Sequence, residues 1–330
     1  MGKVKHEDYV GHFTTMYPEI FKDSMLCLGG MTNEVHLVFN TGDPCGESVK
    51  PLMSVSYMDG GSSYLFRQLF FPDYFEFVDV GNVTRNSYMF SRSVSIGFRV
   101  EDIIKSTNLI RGSTSAMFRV YDKTMTLTLH SLDRSADLEI KHVELETDDG
   151  VIEIPEGLPV FCEYELTRSQ FDSLVLISDV FKDLGDIDTT YFEFGDERLG
   201  FGSGEPEEPE FSGNRKKDKK KAKFTHTPRI GASCVSYLKQ GNFKVIKPPG
   251  SFATKKYYRL SSTRSMFTLL KKFDKKYDWV IRIISYDGEA SNVLVLKAEL
   301  NVKLGNGETK RLSEIVYYIS GLKTDNDIES

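Results

Sequence analysis

The side chains best suited to hold a metal or act as a nucleophile are six histidines and four cysteines. His6, His12, His36, His130, His142 and His226 share no metal-ligand spacing, and Cys27, Cys45, Cys162 and Cys234 contain no CxxC pair. These thiols read as buried and reduced, so no metal and no cofactor is expected. There is no P-loop, no GxSxG and no HExxH. The glycine-rich pieces GDPCGE, MDGGSS and KLGNGETK read as turns, the last with the Asn-Gly hairpin signal. Nothing marks a catalytic pair among the 48 acidic residues, so the chain reads as a non-enzyme.

The chemistry that remains is electrostatic. The stretch GEPEEPEFSGNRKKDKKKAKFTHTP, residues 204–228, starts acidic and then places Arg215, Lys216, Lys217, Lys219, Lys220, Lys221 and Lys223 against Asp218 alone. It carries too little apolar surface to offset the entropy of ordering, so it is expected to be a solvated arm. RKKDKKKAK fits a nuclear localisation signal first, a nucleic-acid arm second and a tether of no specific role third. The whole chain carries −6; the arm has seven basic and five acidic residues, which leaves a body at −8. A nucleic-acid binder with so acidic a body must gather its cations on one surface. The polar start MGKVKHEDYV reads as neither signal peptide nor myristoylation site, and no apolar run is long enough to cross a bilayer.

The elements that would position those cations are mostly strands. LMSVSYM, YLFRQLFF, YFEFVDV, AMFRVYD, MTLTLHSL, DLEIKHVEL, TTYFEFG, ASCVSYLK, WVIRIISYD, NVLVLKAELNV and IVYYISGL alternate or are rich in aromatic and β-branched residues. Four helices are expected, over Tyr17–Leu28, Val100–Leu109, Thr167–Leu184 and Ser262–Phe273. Thr167 with Gln170 forms a T-x-x-Q capping box, and Gly29 follows the first helix where a left-handed C-cap favours glycine. The layout repeats. Phe98-Arg99-Val100 leads through a helix to a strand ending Tyr121-Asp122, and Tyr258-Arg259-Leu260 leads the same way to Tyr286-Asp287. Two similar α+β domains are expected, each with helices on one face of antiparallel sheets: residues 1–145 and 159–330, joined by an acidic connector over 146–158. The arm interrupts a hairpin of the second domain and is not the linker.

This layout resembles the eukaryotic and viral DNA sliding clamp, PCNA. Asn33-Glu34 after the first helix, the run LMSVSYMDGGSSYLFRQLFF, IIKSTN in the second helix, Ile154-Pro155-Glu156 closing the connector and Val316-Tyr317-Tyr318-Ile319 near the end match in order and spacing from about Tyr17 to Leu322. Ser320-Gly321 replaces the usual Ala-Pro, and the arm and an N-terminal extension are additions, which marks a divergent member.

The resemblance implies a DNA-clamp fold whose two-domain subunits close head to tail, three to a ring, with helices lining the hole. DNA contact then falls to Lys22, Lys105, Arg111, Arg168, Arg264, Lys271, Lys272 and Lys275, through phosphates and without sequence preference. Lysines on an exposed helix face often serve solubility alone, and the resemblance is what turns the reading toward DNA. A partner peptide, from a DNA polymerase or another replication protein, would dock on Met58, Ile152, Ile154, Tyr317 and Tyr318. Subunits would join through Leu138–Val143 of one copy and Ala232–Leu238 of the next, two edge strands. The implied role is a processivity factor in the nucleus or a viral replication compartment. The alternatives are a herpesvirus-type factor that holds DNA as a monomer or dimer through a basic face, a subunit of a heteromeric checkpoint clamp, and a β-rich scaffold with no DNA role.

Overall fold

The computed structural model describes residues 9–41, 50–58, 64–78, 84–107, 113, 115–130, 135–143, 159–176, 189–195, 198–203, 234–239, 241–249, 256–261, 277–286, 293–303 and 307–320. In chain order the first half holds β1 (Tyr9–Thr15), α1 (Pro18–Leu28), β2 (Glu34–Phe39), β3 (Met53–Met58), β4 (Tyr64–Phe70), a 3-10 turn at Pro72–Phe75, β5 (Glu76–Val78), β6 (Thr84–Asn86), β7 (Tyr88–Phe90), β8 (Val94–Arg99), α2 (Val100–Thr107), β9 (Ser115–Tyr121), β10 (Thr124–His130) and β11 (Ser135–Lys141). The second half holds β12 (Val160–Thr167), α3 (Arg168–Val175), β13 (Thr189–Phe194), β14 (Arg198–Ser203), β15 (Cys234–Lys239), β16 (Lys244–Lys247), β17 (Lys256–Ser261), β18 (Trp279–Tyr286), β19 (Val293–Lys303) and β20 (Thr309–Ser320).

The strands form a five-stranded sheet, β11-β10-β9-β1-β7, a four-stranded sheet, β15-β14-β13-β17, and a pair, β5-β6. A nine-stranded sheet, β16-β12-β18-β19-β20-β4-β3-β2-β8, runs through both halves. Its seam is β20 against β4, antiparallel from Ser313↔Phe70 to Ile319↔Tyr64. The period-2 pattern of these strands puts one apolar set on each inner face. Aromatic rings fill the layer behind them: Phe13 stacks on Phe118 at 4.4 Å, Phe39 on Phe90 at 4.6 Å, and Phe66 meets Tyr317 across the seam at 5.0 Å. The seam is also pinned by polar groups. Gln68 Nε2 donates to Ser313 Oγ at 3.0 Å, Ser313 Oγ donates to the Leu69 carbonyl at 2.9 Å, and the Arg311 amide donates to Asp73 Oδ2 at 2.9 Å.

The helices lie against the inner faces. In α1 eight of eleven residues are buried, with Glu19, Lys22 and Leu26 on the open side. The helix α3 opens on the expected capping box: Gln170 N donates to Thr167 Oγ1 at 3.3 Å, and Thr167 N donates to Gln170 Oε1 at 2.8 Å. At Gly29 the expectation is corrected. Its φ of −61° is right-handed, so no left-handed cap is made. Glycine is needed there for close approach, because an added Cβ would lie 2.6 Å from Ile104 Cδ1 of α2. The hairpin reading of KLGNGETK holds, with Gly307 at φ +86° between β19 and β20.

Candidate DNA-facing and partner-binding surfaces

The cations expected to meet DNA sit on helices of low net charge. Lys22 projects from the half-open side of α1, whose other charges are Glu19 and the buried Asp23. Lys105 is exposed on α2 and pairs with Glu101 one turn earlier, Nζ to Oε1 at 2.6 Å. That contact lowers the Glu101 carboxyl below its usual range and raises the Lys105 ammonium. Arg168 is 8 % exposed and its Nε lies 3.4 Å from Asp172 Oδ1, so its guanidinium is committed to the base of α3. Each of α1 and α2 carries formally −1 and α3 carries zero. The remaining expected contacts, Arg111, Arg264, Lys271, Lys272 and Lys275, lie outside the described residues, as does the arm with Arg215, Lys216, Lys217, Lys219, Lys220, Lys221 and Lys223. α1 and α2 pack together, so Lys22 and Lys105 belong to one helical layer.

The opposite face of the nine-stranded sheet has a different chemistry. Directly paired residues share a face, and Met58, Leu65, Tyr318, Val295 and Ile284 are successive partners from β3 to β18. Five apolar side chains therefore form a row roughly 19 Å long at the usual strand spacing, in which Leu65, Val295 and Ile284 are buried, Tyr318 is half-buried and Met58 is exposed. Val295, Val316 and Ile284 make a cluster separate from the main core, packed by Val160, Tyr286, Val293 and Tyr318. Met58 stands 43 % exposed at one end of the row. Burial raises the Tyr318 hydroxyl to about 12, with Tyr286 and Glu314 adding to the effect and Arg67 opposing it.

A charged row borders the apolar one: Arg67, Val316, Lys297, Arg282, Glu165 and Lys244 are successive partners. Four of its members are in ion pairs, Arg282 Nε to Glu165 at 3.3 Å, Lys244 to Glu165 at 3.2 Å and Lys297 to Glu314 at 3.2 Å. Such a belt is weak in stability but fixes where the apolar surface ends.

Of the five residues expected to hold a partner peptide, the structure sets Met58 and Tyr318 in this row. Tyr317 is on the other face, fully buried against Phe66, and cannot line a surface pocket. Ile152 and Ile154 lie outside the described residues. Leu65, Val295, Ile284 and Val316 escaped the sequence reading. For Val295 the signal was the apolar run Val293–Leu296, which marks a strand covered on both faces.

The two expected joining strands are both sheet edges. β11 ends the five-stranded sheet and β15 ends the four-stranded sheet, each bonded to a single neighbour among the described residues. α2 lies by β11 and α3 by β15.

No protein-family model and no curated protein matches the sequence. Solved structures do. The proliferating cellular nuclear antigen of Entamoeba histolytica superposes with a TM-score of 0.64 at 12 % identity, covering 96 % of this chain and 100 % of that one. PCNA from Thermococcus kodakaraensis gives 0.62 at 13 %, covering 94 % and 100 %. A PCNA2-PCNA3 complex from Sulfolobus tokodaii gives 0.59 at 14 %, covering 94 % and 98 %. At such identity the likeness speaks for architecture, and it spans those chains end to end: this chain has the PCNA-like sliding-clamp fold, in a divergent sequence.

Proposed function

We propose that this chain is a DNA sliding clamp: a non-enzymatic ring subunit that encircles duplex DNA and tethers a replicative polymerase and other replication proteins. The observation that carries the reading is the match over 94–96 % of this chain and the whole of those chains, with the two expected joining strands, β11 and β15, each at a sheet edge among the described residues. Head-to-tail closure would consume both edges, which otherwise invite aggregation. A ring holds DNA by topology and needs few phosphate contacts, which suits helices as poor in net positive charge as α1, α2 and α3. The same poverty weighs against a monomer that grips DNA through those helices. The partner surface is the end of the apolar row at exposed Met58 and half-buried Tyr318, where the sequence of the connector adds Ile152 and Ile154. A nuclear or viral replication compartment is the proposed setting, with RKKDKKKAK as the address.

The heteromeric alternative draws on the PCNA2-PCNA3 complex, in which two different chains of this fold associate. Light scattering after size exclusion separates the readings: about three times 37.5 kDa is expected for a self-closing ring. Retention on nicked circular DNA, with loss from linear DNA whose ends are free, is the functional counterpart. A stable monomer that binds both DNAs equally would overturn encirclement.

A further inference from the structure

β1 departs from regular pairing at one point, and the departure builds a cluster on the solvent face of the five-stranded sheet. Its register against β9 shifts between Tyr9 and Gly11, so that Tyr9 pairs with Tyr121 while Gly11 pairs with Val120. In a regular strand residues three apart point to opposite faces. The bulge puts Tyr9 and His12 on the same face, where the Tyr9 hydroxyl donates to His12 Nδ1. Glycine is needed at the bulge, because an added Cβ at Gly11 would lie 2.5 Å from both the Met89 carbonyl oxygen and the Phe90 ring.

Two neighbouring strands complete the cluster. His12 is paired with Met89 of β7 on one side and with Arg119 of β9 on the other. The Tyr121 ring meets Tyr9 edge-on at 5.9 Å. Tyr9 is 49 % exposed and Met89 62 %. Arg119 donates from Nη1 to Thr128 Oγ1 at 3.1 Å, and among the described residues no carboxylate pairs with it. The acid in its own row, Glu139, stands two strands away across Thr126, roughly 10 Å at strand spacing. Burial, with Arg119 beside it, lowers His12 below its usual range, so the ring is neutral at pH 7 and, with Nδ1 accepting from Tyr9, holds its proton on Nε2. The polar centre of this face therefore offers donors and lacks an acceptor.

We infer that this face is a second docking surface, for an acidic peptide segment of a partner protein: a carboxylate of the peptide pairs with Arg119, and an aliphatic or aromatic residue beside it lies against Tyr9, Tyr121 and Met89. Tyrosine, methionine and arginine are the side chains that concentrate at protein interfaces. Charge selects the kind of partner. Across the face Arg119 and Lys141 are balanced by Asp137 and Glu139, exposed along β11. A nucleic-acid backbone needs a run of cations. One carboxylate needs a single cation, and the acids at the border turn away a chain of phosphates. The face belongs to a different sheet from the row ending at Met58 and does not depend on ring closure.

The test titrates the full-length protein into short fluorescent peptides that carry one glutamate beside one leucine or phenylalanine, into the same peptides with glutamine, and into a labelled single-stranded oligothymidylate, read by anisotropy. Saturable binding of the glutamate peptides is expected, weakened about tenfold by glutamine. Arg119→Gln is expected to weaken the glutamate peptides to the same extent and to erase the difference between glutamate and glutamine. Thr126→Asp, which sets a carboxylate directly opposite Arg119 and keeps the strand pairing, is expected to do the same with unchanged circular dichroism. Tyr9→Phe, which breaks the bond to His12, is expected to weaken binding several-fold. Absence of saturable binding, equal affinity for glutamate and glutamine, or indifference to both Arg119→Gln and Thr126→Asp overturns the proposal. Tighter capture of the oligonucleotide than of the glutamate peptides overturns the class of partner. Loss of peptide binding on Met58→Asp moves the peptide to the nine-stranded sheet and overturns this surface.

Discussion

At the residue scale, the sheet face a side chain occupies decides its role, and adjacent residues diverge completely. Tyr317 and Tyr318 are neighbours with opposite fates. Truncating buried Tyr317 to alanine removes a ring packed on Phe66 and is expected to cost about 3–5 kcal/mol, read as a large drop in the denaturation midpoint. Tyr318→Ala is expected to keep most of the stability and to lose capture of a clamp-binding peptide in a titration. Tyr318 also gives a pH signature. Its folded-state value, about 12, lies above the ordinary 10, so the native state holds the proton more tightly. Its contribution is therefore full below pH 10 and is lost as pH rises through 12. Absorbance of tyrosinate should show a late-titrating group that Tyr318→Phe removes. His12 behaves in the opposite sense: burial, with Arg119 nearby, lowers its value below 6.5. Stability linked to it is full above pH 6.5 and falls as the pH drops below that, and a His12→Gln variant should flatten this part of the profile.

At the element scale, local signals were legible where backbone chemistry alone decides. The capping box at Thr167 and Gln170 was readable because both bonds are made within one turn. Thr167→Ala should cost about 1 kcal/mol, measured by denaturant unfolding. The turn between β19 and β20 was readable from its Asn-Gly signal, and Gly307 there takes the positive φ that favours glycine. Gly29 was misread, since its need for glycine comes from Ile104, far along the chain. The face of each tyrosine in Tyr317-Tyr318 was also closed to the sequence. Both positions lie in a strand with apolar residues on each side, where alternation no longer separates inside from outside. Short strands such as β6 and β7 went unread because three residues carry no period. The clamp architecture was legible from the order of weak matches, and the apolar row was not, because it is assembled from strands far apart in sequence.

At the scale of the whole molecule, the shared sheet makes the two halves interdependent. Removing β20 would expose β4 along its length and open the Gln68–Ser313 contact. A chain ending before Thr309 is expected to lose cooperative unfolding in both halves, seen as a broad or absent calorimetric transition. Deleting residues 205–227 is expected to leave the circular dichroism and the transition unchanged, since the arm is read as an insertion between β14 and β15. An unfolded deletion product would sink that reading.

The seam also orders events on the ribosome. β4 ends at Phe70 and its partner β20 begins at Thr309. At ordinary elongation speeds roughly 12–50 s pass between their synthesis. Through that interval β4 waits with one edge unpaired, and only a polypeptide made as far as Ser320 can close it in full. A product that stops short of β20 keeps an exposed strand edge of the kind that invites wrong pairing, so synthesis of one late strand decides whether the first half is safe from aggregation.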